Sequence, residues 1–318
     1  MEILNNYART DLACEACART GSISGIGIDY REYTEDGIEI GVLTVENGEG
    51  EKTSGRRAGK YYNIVCGKIW LWSDAKMELI SSVIASHISK SVLSLTNKSI
   101  SPDFRVLVVG LGNSAITADA VGPFTVDNMT VTRHIKSSNR LIYDSIGCCE
   151  IAAIKPGVLG QTGIESSELI KGTVNFVRPD VIVAVDALAA RSCDRIASTV
   201  QLSDNGIHPG SGIGNRRSAI TRESTGVPVI ALGVPTVVDS STLVYDALEK
   251  AGITEKEISP DLAQVLENGK SFFVSLKESD IILTEISTLL SKSIERAFKT
   301  GNEGAQGDFC EKKFLLTP

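Results

Sequence analysis

Residues 106–123, VLVVGLGNSAITADAVGP, decide the fold. The run opens with four apolar residues, Val106, Leu107, Val108 and Val109. Bounded by Gly110 and Gly112, it reads as a buried strand of a parallel sheet. Gly110, Gly112 and Asn113 then permit a sharp turn, because Gly and Asn tolerate positive φ. Asp119 follows the turn, with Gly122-Pro123 close behind. A carboxylate just past the carboxyl end of a buried strand lies where open α/β sheets place their ligands. Taken alone, helix capping is the commoner use of such an aspartate.

Two more stretches repeat the pattern. Val181, Ile182, Val183, Ala184 and Val185 run directly into Asp186. Residues 227–233, VPVIALG, form a third buried strand, and Asp239 or Ser240 then caps a helix over 241–251. The N-terminal part adds a half-exposed strand at 37–45 and another at 61–66, with the basic loop GRRAGK (55–60) between them. That loop lacks the glycine spacing and the Ser or Thr of a P-loop. Apolar residues from Leu79 to Leu95 recur at helical spacing and make His87 a packed core histidine. A crossover helix is expected over 124–131, ended near His134, and a tail helix carries Ile282, Ile286, Leu289 and Leu290 on one stripe. Residues 144–168, rich in Gly, read as a functional loop with Glu150 and Glu165 as its acidic members. The expected fold is α/β, an open, mostly parallel sheet flanked by helices, with additional antiparallel strands from the N-terminal region.

Composition narrows the classes. The chain has 318 residues, 42% hydrophobic and 22% charged, with a net charge of −7. The negative balance argues against a broad nucleic-acid surface. Apolar runs fall short of the ~18 residues of a membrane span. The first 20 residues lack the layout of a signal peptide and read as a mobile arm, so a cytoplasmic location is expected. Seven scattered cysteines, with one lone CxxC at Cys14 and Cys17, make neither a disulfide framework nor a zinc site. No cofactor is expected.

Asp119 and Asp186 each end a buried strand, and in a parallel sheet both project to one edge. Two carboxylates held close share a proton: one serves as base toward water and the other as acid toward a carbonyl oxygen. Such a pair suits amide hydrolysis. The rival use is a divalent-metal site of Asp119, Asp186 and His208; the plain alternative is two caps and a structural histidine. Gly210-Ser211-Gly212 lacks the spacing of a serine-hydrolase elbow, and Cys193 has no assigned histidine.

These segments resemble the germination (spore) protease family of endospore-forming bacteria. The resemblance rests on ARTDLA (8–13), VVGLGN with TADAVGP (108–123), VTRH (131–134), PGVLGQTGIE (156–165), RPDVIVAVDALAARS (178–192), LSDNGIHPGSGIGN (202–215) and GVPVIALGVPTVVD (226–239). It implies an atypical aspartic-type endopeptidase, similar in fold to the hydrogenase-maturation peptidases, with Asp119 and Asp186 as its essential aspartates. It further implies a homotetramer of the spore core that degrades small acid-soluble spore proteins at germination. The family is made as a zymogen that removes its own N-terminal segment. It cuts after an acidic residue and before a bulky apolar residue followed by Ala. Asp11-Leu12-Ala13 has that order, which places the cut between Asp11 and Leu12, with 1–11 as propeptide arm and 12–318 as one peptidase domain. An acidic residue before the cut calls for basic partners, for which Arg191, Arg216 and Arg217 are candidates; His208 and Glu165 are candidate site neighbours. Metal-assisted hydrolysis of the hydrogenase-maturation type is the runner-up, followed by a nucleotide-handling α/β enzyme and a non-catalytic partner-binding protein. Neither a membrane nor direct nucleic-acid binding is expected.

Overall fold

The computed structural model describes residues 10–19, 27–209, 218–253, 258–269 and 272–300. Among them, nine strands form one sheet: β1 (Ile28–Glu35), β2 (Ile38–Val45), β3 (Gly59–Val65), β4 (Arg105–Gly110), β5 (Glu150–Ile154), β6 (Val181–Ala190), β7 (Thr199–Ser203), β8 (Val229–Asp239) and β9 (Phe273–Val274). Their order is β1-β2-β3-β7-β8-β6-β4-β5, with β9 paired to β8. β5, β4, β6 and β8 run parallel, whereas β7, β3, β2 and β1 add antiparallel pairings on the far side of β8. The α/β architecture with N-terminal antiparallel strands is as the sequence predicts.

The helices in chain order are α1 (Ala13–Arg19), α2 (Glu49–Ser54), α3 (Asp74–Thr96), α4 (Val121–Asp127), α5 (Arg133–Ser138), α6 (Arg140–Ile146), α7 (Leu159–Thr162), α8 (Ser166–Val177), α9 (Arg222–Thr225), α10 (Ser240–Lys250), α11 (Pro260–Gly269) and α12 (Ser279–Ala297). Alternate residues of a strand face opposite sides of the sheet. Val106, Val108, Val183 and Val185 therefore join one core with residues of α3, α4 and α12, while Leu107, Val109, Ile182 and Ala184 pack on Ile170 and Val174 of α8. Burial on both faces explains why these strands read as unbroken apolar runs.

α3 is long and apolar enough to cross a membrane by length and composition. Its apolar face, from Met77 through Ile80, Ile84 and Ile88 to Val92, is instead buried against the sheet and α12. Ser73 caps its start by accepting from the Lys76 N–H, and Asn97 ends it in the left-handed region. His87 is buried as expected, bonded to the Val83 carbonyl and to the Tyr33 hydroxyl. Asp239 caps α10, also as expected, accepting from the Ser241 and Thr242 N–H groups.

Three expectations need correction. The 144–168 stretch is not one loop: it holds β5, the short α7 and the start of α8. β5 is a short edge strand, and its Glu150 pairs with Lys136. The crossover helix begins at Val121 rather than 124, because Pro123 fits the first turn of a helix, where its missing N–H costs nothing. The mobile arm expected over 1–20 is folded where it is described: Leu12 and Ala13 are fully buried and α1 starts at Ala13. Residues 1–9 and 20 lie outside the described residues.

Candidate active site

Asp186 lies inside β6, just where that strand runs past the end of β4, and Asp119 lies in the turn that follows β4. The Leu111 N–H extends the β4–β6 ladder to the Val185 carbonyl (2.8 Å), so the chain leaves β4 beside Asp186. It then turns through residues 117–119, the last of them Asp119. The Asp119 Oδ2 accepts from the Asn113 N–H at 2.9 Å. Gly112 has φ +112°, and a Cβ there would lie 1.9 Å from the Asp119 carbonyl oxygen. Only glycine lets the two turns of this loop touch. Helix capping does not account for either aspartate. The N-cap of α4 is Ala120, without a side-chain cap bond, and Asp186 lies inside β6.

Asp186 is 6% exposed. It sits opposite Gly233 of β8, which sits opposite Gln201 of β7, which sits opposite Asn63 of β3. Directly opposed residues present their side chains on the same face. Asp186 and Gln201 therefore flank Gly233, and the Leu188 side chain packs over that glycine, where a Cβ would lie 2.5 Å from Leu188 Cδ1. A cleft of about 510 Å³ opens there, lined among others by Asp186, Gln201, Arg56, Tyr61, Asn205 and His208. Burial pushes the Tyr61 hydroxyl above its ordinary pKa, and desolvation likewise raises the Asp204 carboxyl behind the cleft wall.

The N-terminal segment enters this cleft, and Asp11 is part of its lining. The Asp11 N–H donates to the Ala189 carbonyl (2.8 Å), and the Ala189 N–H donates to Asp11 Oδ2 (2.9 Å). The Gln201 Nε2 donates to the Asp11 carbonyl (3.2 Å), while the Ala13 N–H donates to Gln201 Oε1 (2.7 Å). Arg56 Nη2 donates to the Thr10 carbonyl at 2.8 Å. Farther along, the Glu15 carboxylate accepts from the Arg191 N–H (2.8 Å) and the Ser192 N–H (3.2 Å). Leu12 is buried in the main core. The segment thus reaches from Ala189 of β6 to Gln201 of β7, held by one backbone pair and by side-chain bonds of Asp11, Gln201, Arg56 and Glu15.

The other expected neighbours divide. His208 lines the cleft at its exposed rim. Glu165 does not line it; it is the N-cap of α8, in a reciprocal capping box with Glu168. The Arg191 side chain turns away to Asp246 and Glu249 of α10, so it is no reader of an acidic residue in the cleft. Arg216 and Arg217 lie outside the described residues. The positive charge comes from Arg56 and Arg57, in the basic loop whose glycine spacing excludes a P-loop. Gln201 also escapes sequence reasoning, because a polar residue in a short strand has no signature. Among the described residues no group of three or more His, Cys, Asp or Glu side chains could hold a metal ion.

A sequence model of germination proteases matches residues 10–251, which includes both aspartates, the cleft strands and the docked segment. This chain belongs to the germination protease family. Membership makes it a peptidase and sets aside the nucleotide-handling reading. A germination protease of Caldanaerobacter subterraneus subsp. tengcongensis is 39% identical over 92% of this chain and 94% of its own length. One of Clostridium acetobutylicum is 36% identical over 94% of this chain and 97% of its own length. One of Bacillus subtilis is 40% identical, over 77% of this chain and 67% of its own length.

Proposed function

We propose that this chain is the endopeptidase of spore germination, made as a zymogen that cuts itself between Asp11 and Leu12. Its substrates are the small acid-soluble spore proteins, and it works as a homotetramer in the spore core. The observation that carries the reading is the position of Asp11-Leu12: Asp11 lines the same cleft as Asp186, and Gln201 bonds the chain on both sides of the peptide, at the Asp11 carbonyl and the Ala13 N–H. Arg56 and Arg57 give the cleft the positive charge that suits an acidic residue before the cut.

The chemistry follows from two carboxylates, Asp186 inside β6 and Asp119 in the turn after β4. Asp119 and Asp186 share one proton, because two close carboxylates resist a double charge. The ionised partner takes a proton from water, whose oxygen bonds to the peptide carbonyl carbon. The protonated partner supplies the proton that the departing amine nitrogen takes up as the C–N bond breaks. The net change is addition of one water across the peptide bond.

The deciding measurement is the mass of the full chain after incubation at mildly acidic pH. The reading requires loss of residues 1–11 together with a gain of peptidase activity. Gained activity with Met1 still in place would overturn self-processing at this bond.

A further inference from the structure

We propose that Gln201 is the carboxamide that grips the scissile peptide and stabilises the oxygen that becomes negative during its hydrolysis. The assignment rests on the proposed cut at Asp11-Leu12. Gln201 bridges that bond: its Nε2 donates to the Asp11 carbonyl oxygen at 3.2 Å, and its Oε1 accepts from the Ala13 N–H at 2.7 Å. The amide orientation is fixed by these partners. Turning it over would set oxygen against oxygen and N–H against N–H, and both bonds would be lost.

The cross-strand row explains why this residue can do so. Gln201 and Asp186 lie on one face of the sheet with only Gly233 between them. With strands ~4.8 Å apart, their backbones stand roughly 10 Å from each other, and the Leu188 side chain covers Gly233 between them. Asp11, Asp186, Leu188 and Gln201 line one cleft, so the docked segment and both side chains share it. As water adds to the carbonyl carbon, the C=O π pair moves onto oxygen, and the oxygen gains charge in front of the Nε2–H. When the C–N bond breaks, the pair returns. A bond of 3.2 Å in the ground state is long for N–H···O and tightens as the oxygen becomes anionic. Interactions that strengthen only in the transition state raise kcat rather than lower KM.

The test compares the full-length chain with Q201M and Q201E. Self-cleavage is followed by intact mass, and kcat and KM by hydrolysis of a synthetic peptide with the sequence of residues 5–18. Q201M is close in shape and has no donor. Its kcat is expected to fall about 100-fold, with a smaller change in KM, as for loss of one oxyanion donor. Q201E keeps the acceptor for the Ala13 N–H but faces the carbonyl with a second acceptor, so it is expected to be slow at neutral pH. Below the ordinary Glu pKa of about 4.3, its protonated carboxyl again carries one donor and one acceptor. The ratio of its kcat to that of the unaltered chain is expected to rise at least 10-fold from pH 7 to pH 4. Asp11, Asp186, Asp204, Arg56 and His208 are common to both chains, so the ratio isolates position 201. A purely structural role would leave the ratio flat, and a flat ratio overturns the proposal. So does a kcat for Q201M equal to that of the unaltered chain.

The two readings fail separately. A chain that hydrolyses the peptide, slows in Q201M, and does not cut itself at Asp11-Leu12 keeps the role of Gln201 and loses the self-processing site. A chain that cuts itself there at the same rate in Q201M loses the role of Gln201 alone. A chain that hydrolyses neither overturns both.

Discussion

Asp11 and Ala189 are joined twice: the Asp11 N–H donates to the Ala189 carbonyl, and the Ala189 N–H donates to the Asp11 carboxylate. The closed pair fixes the backbone on one side of the Asp11-Leu12 bond, and the buried Leu12 fixes the other. Removing the carboxylate in Asp11→Ala breaks one bond to a charged acceptor, worth about 1.5–3 kcal/mol. Self-cleavage is expected to slow about 10-fold or more by intact mass, whereas Asp11→Glu keeps most of the rate. Equal rates for Asp11→Ala and the unaltered chain would mean that this pair does not set the cut.

Asp119→Asn and Asp186→Asn each remove a member of one proton-sharing unit. Each is expected to lower kcat on a peptide substrate by about 10⁴-fold, and the double variant to be no worse than either single, because such groups act together. Activity is expected to survive a strong chelator. Multiplicative losses, or loss on chelation reversed by a divalent metal, would speak against the pair.

Gly112 tests whether the touching turns matter. In Gly112→Ala the new Cβ would meet the Asp119 carbonyl at 1.9 Å with φ at +112°. The loop that carries Asp119 must move. Stability is expected to fall by about 1–3 kcal/mol, and activity to fall with it. Gly147→Ala is the control: φ is +64° and nothing stands within 4 Å, so it carries backbone strain alone. Urea unfolding should rank Gly112→Ala as the costlier change, and activity should be kept only in Gly147→Ala.

Asp204 governs a pH effect on stability. Burial raises its carboxyl pKa above the unfolded value, against a partly offsetting bond from the Lys60 N–H. The folded chain therefore holds this proton to higher pH than the unfolded chain. By linkage, its contribution is complete below the unfolded pKa and is lost as pH rises through the folded value. Asp204→Asn keeps an acceptor for Lys60 without a charge. It is expected to be more stable than the unaltered chain at pH 7, with the advantage vanishing near pH 3. Melting temperatures across that range check both the sign and the window.

The parallel half of the fold was legible locally. Val106 to Val109, Val181 to Val185 and Val229 to Leu232 are strands buried on both faces, but Asp186 does not end its strand as the sequence suggests: β6 continues to Ala190, paired with β8. The helix carrying His87 was legible for the same reason, since burial on one face leaves a helical period. α8 was not: Ile170, Val174 and Val177 make only a short stripe just after the Gly-rich stretch.

The sequence by itself determined which strands are buried, that Asp119 and Asp186 follow two apolar strand runs, and to which family the order of motifs belongs. These are properties of neighbouring residues. Only the tertiary structure decided that β7 lies between β3 and β8, which puts Gln201 across Gly233 from Asp186. Strand register is a long-range choice, and the period of one strand does not encode its partner. The tertiary structure also drew the Thr10 to Glu15 segment into the cleft, where Ala189, Arg191 and Ser192 hold it through backbone N–H groups. Every residue but proline carries that N–H, so a partner of this kind leaves no mark in the sequence.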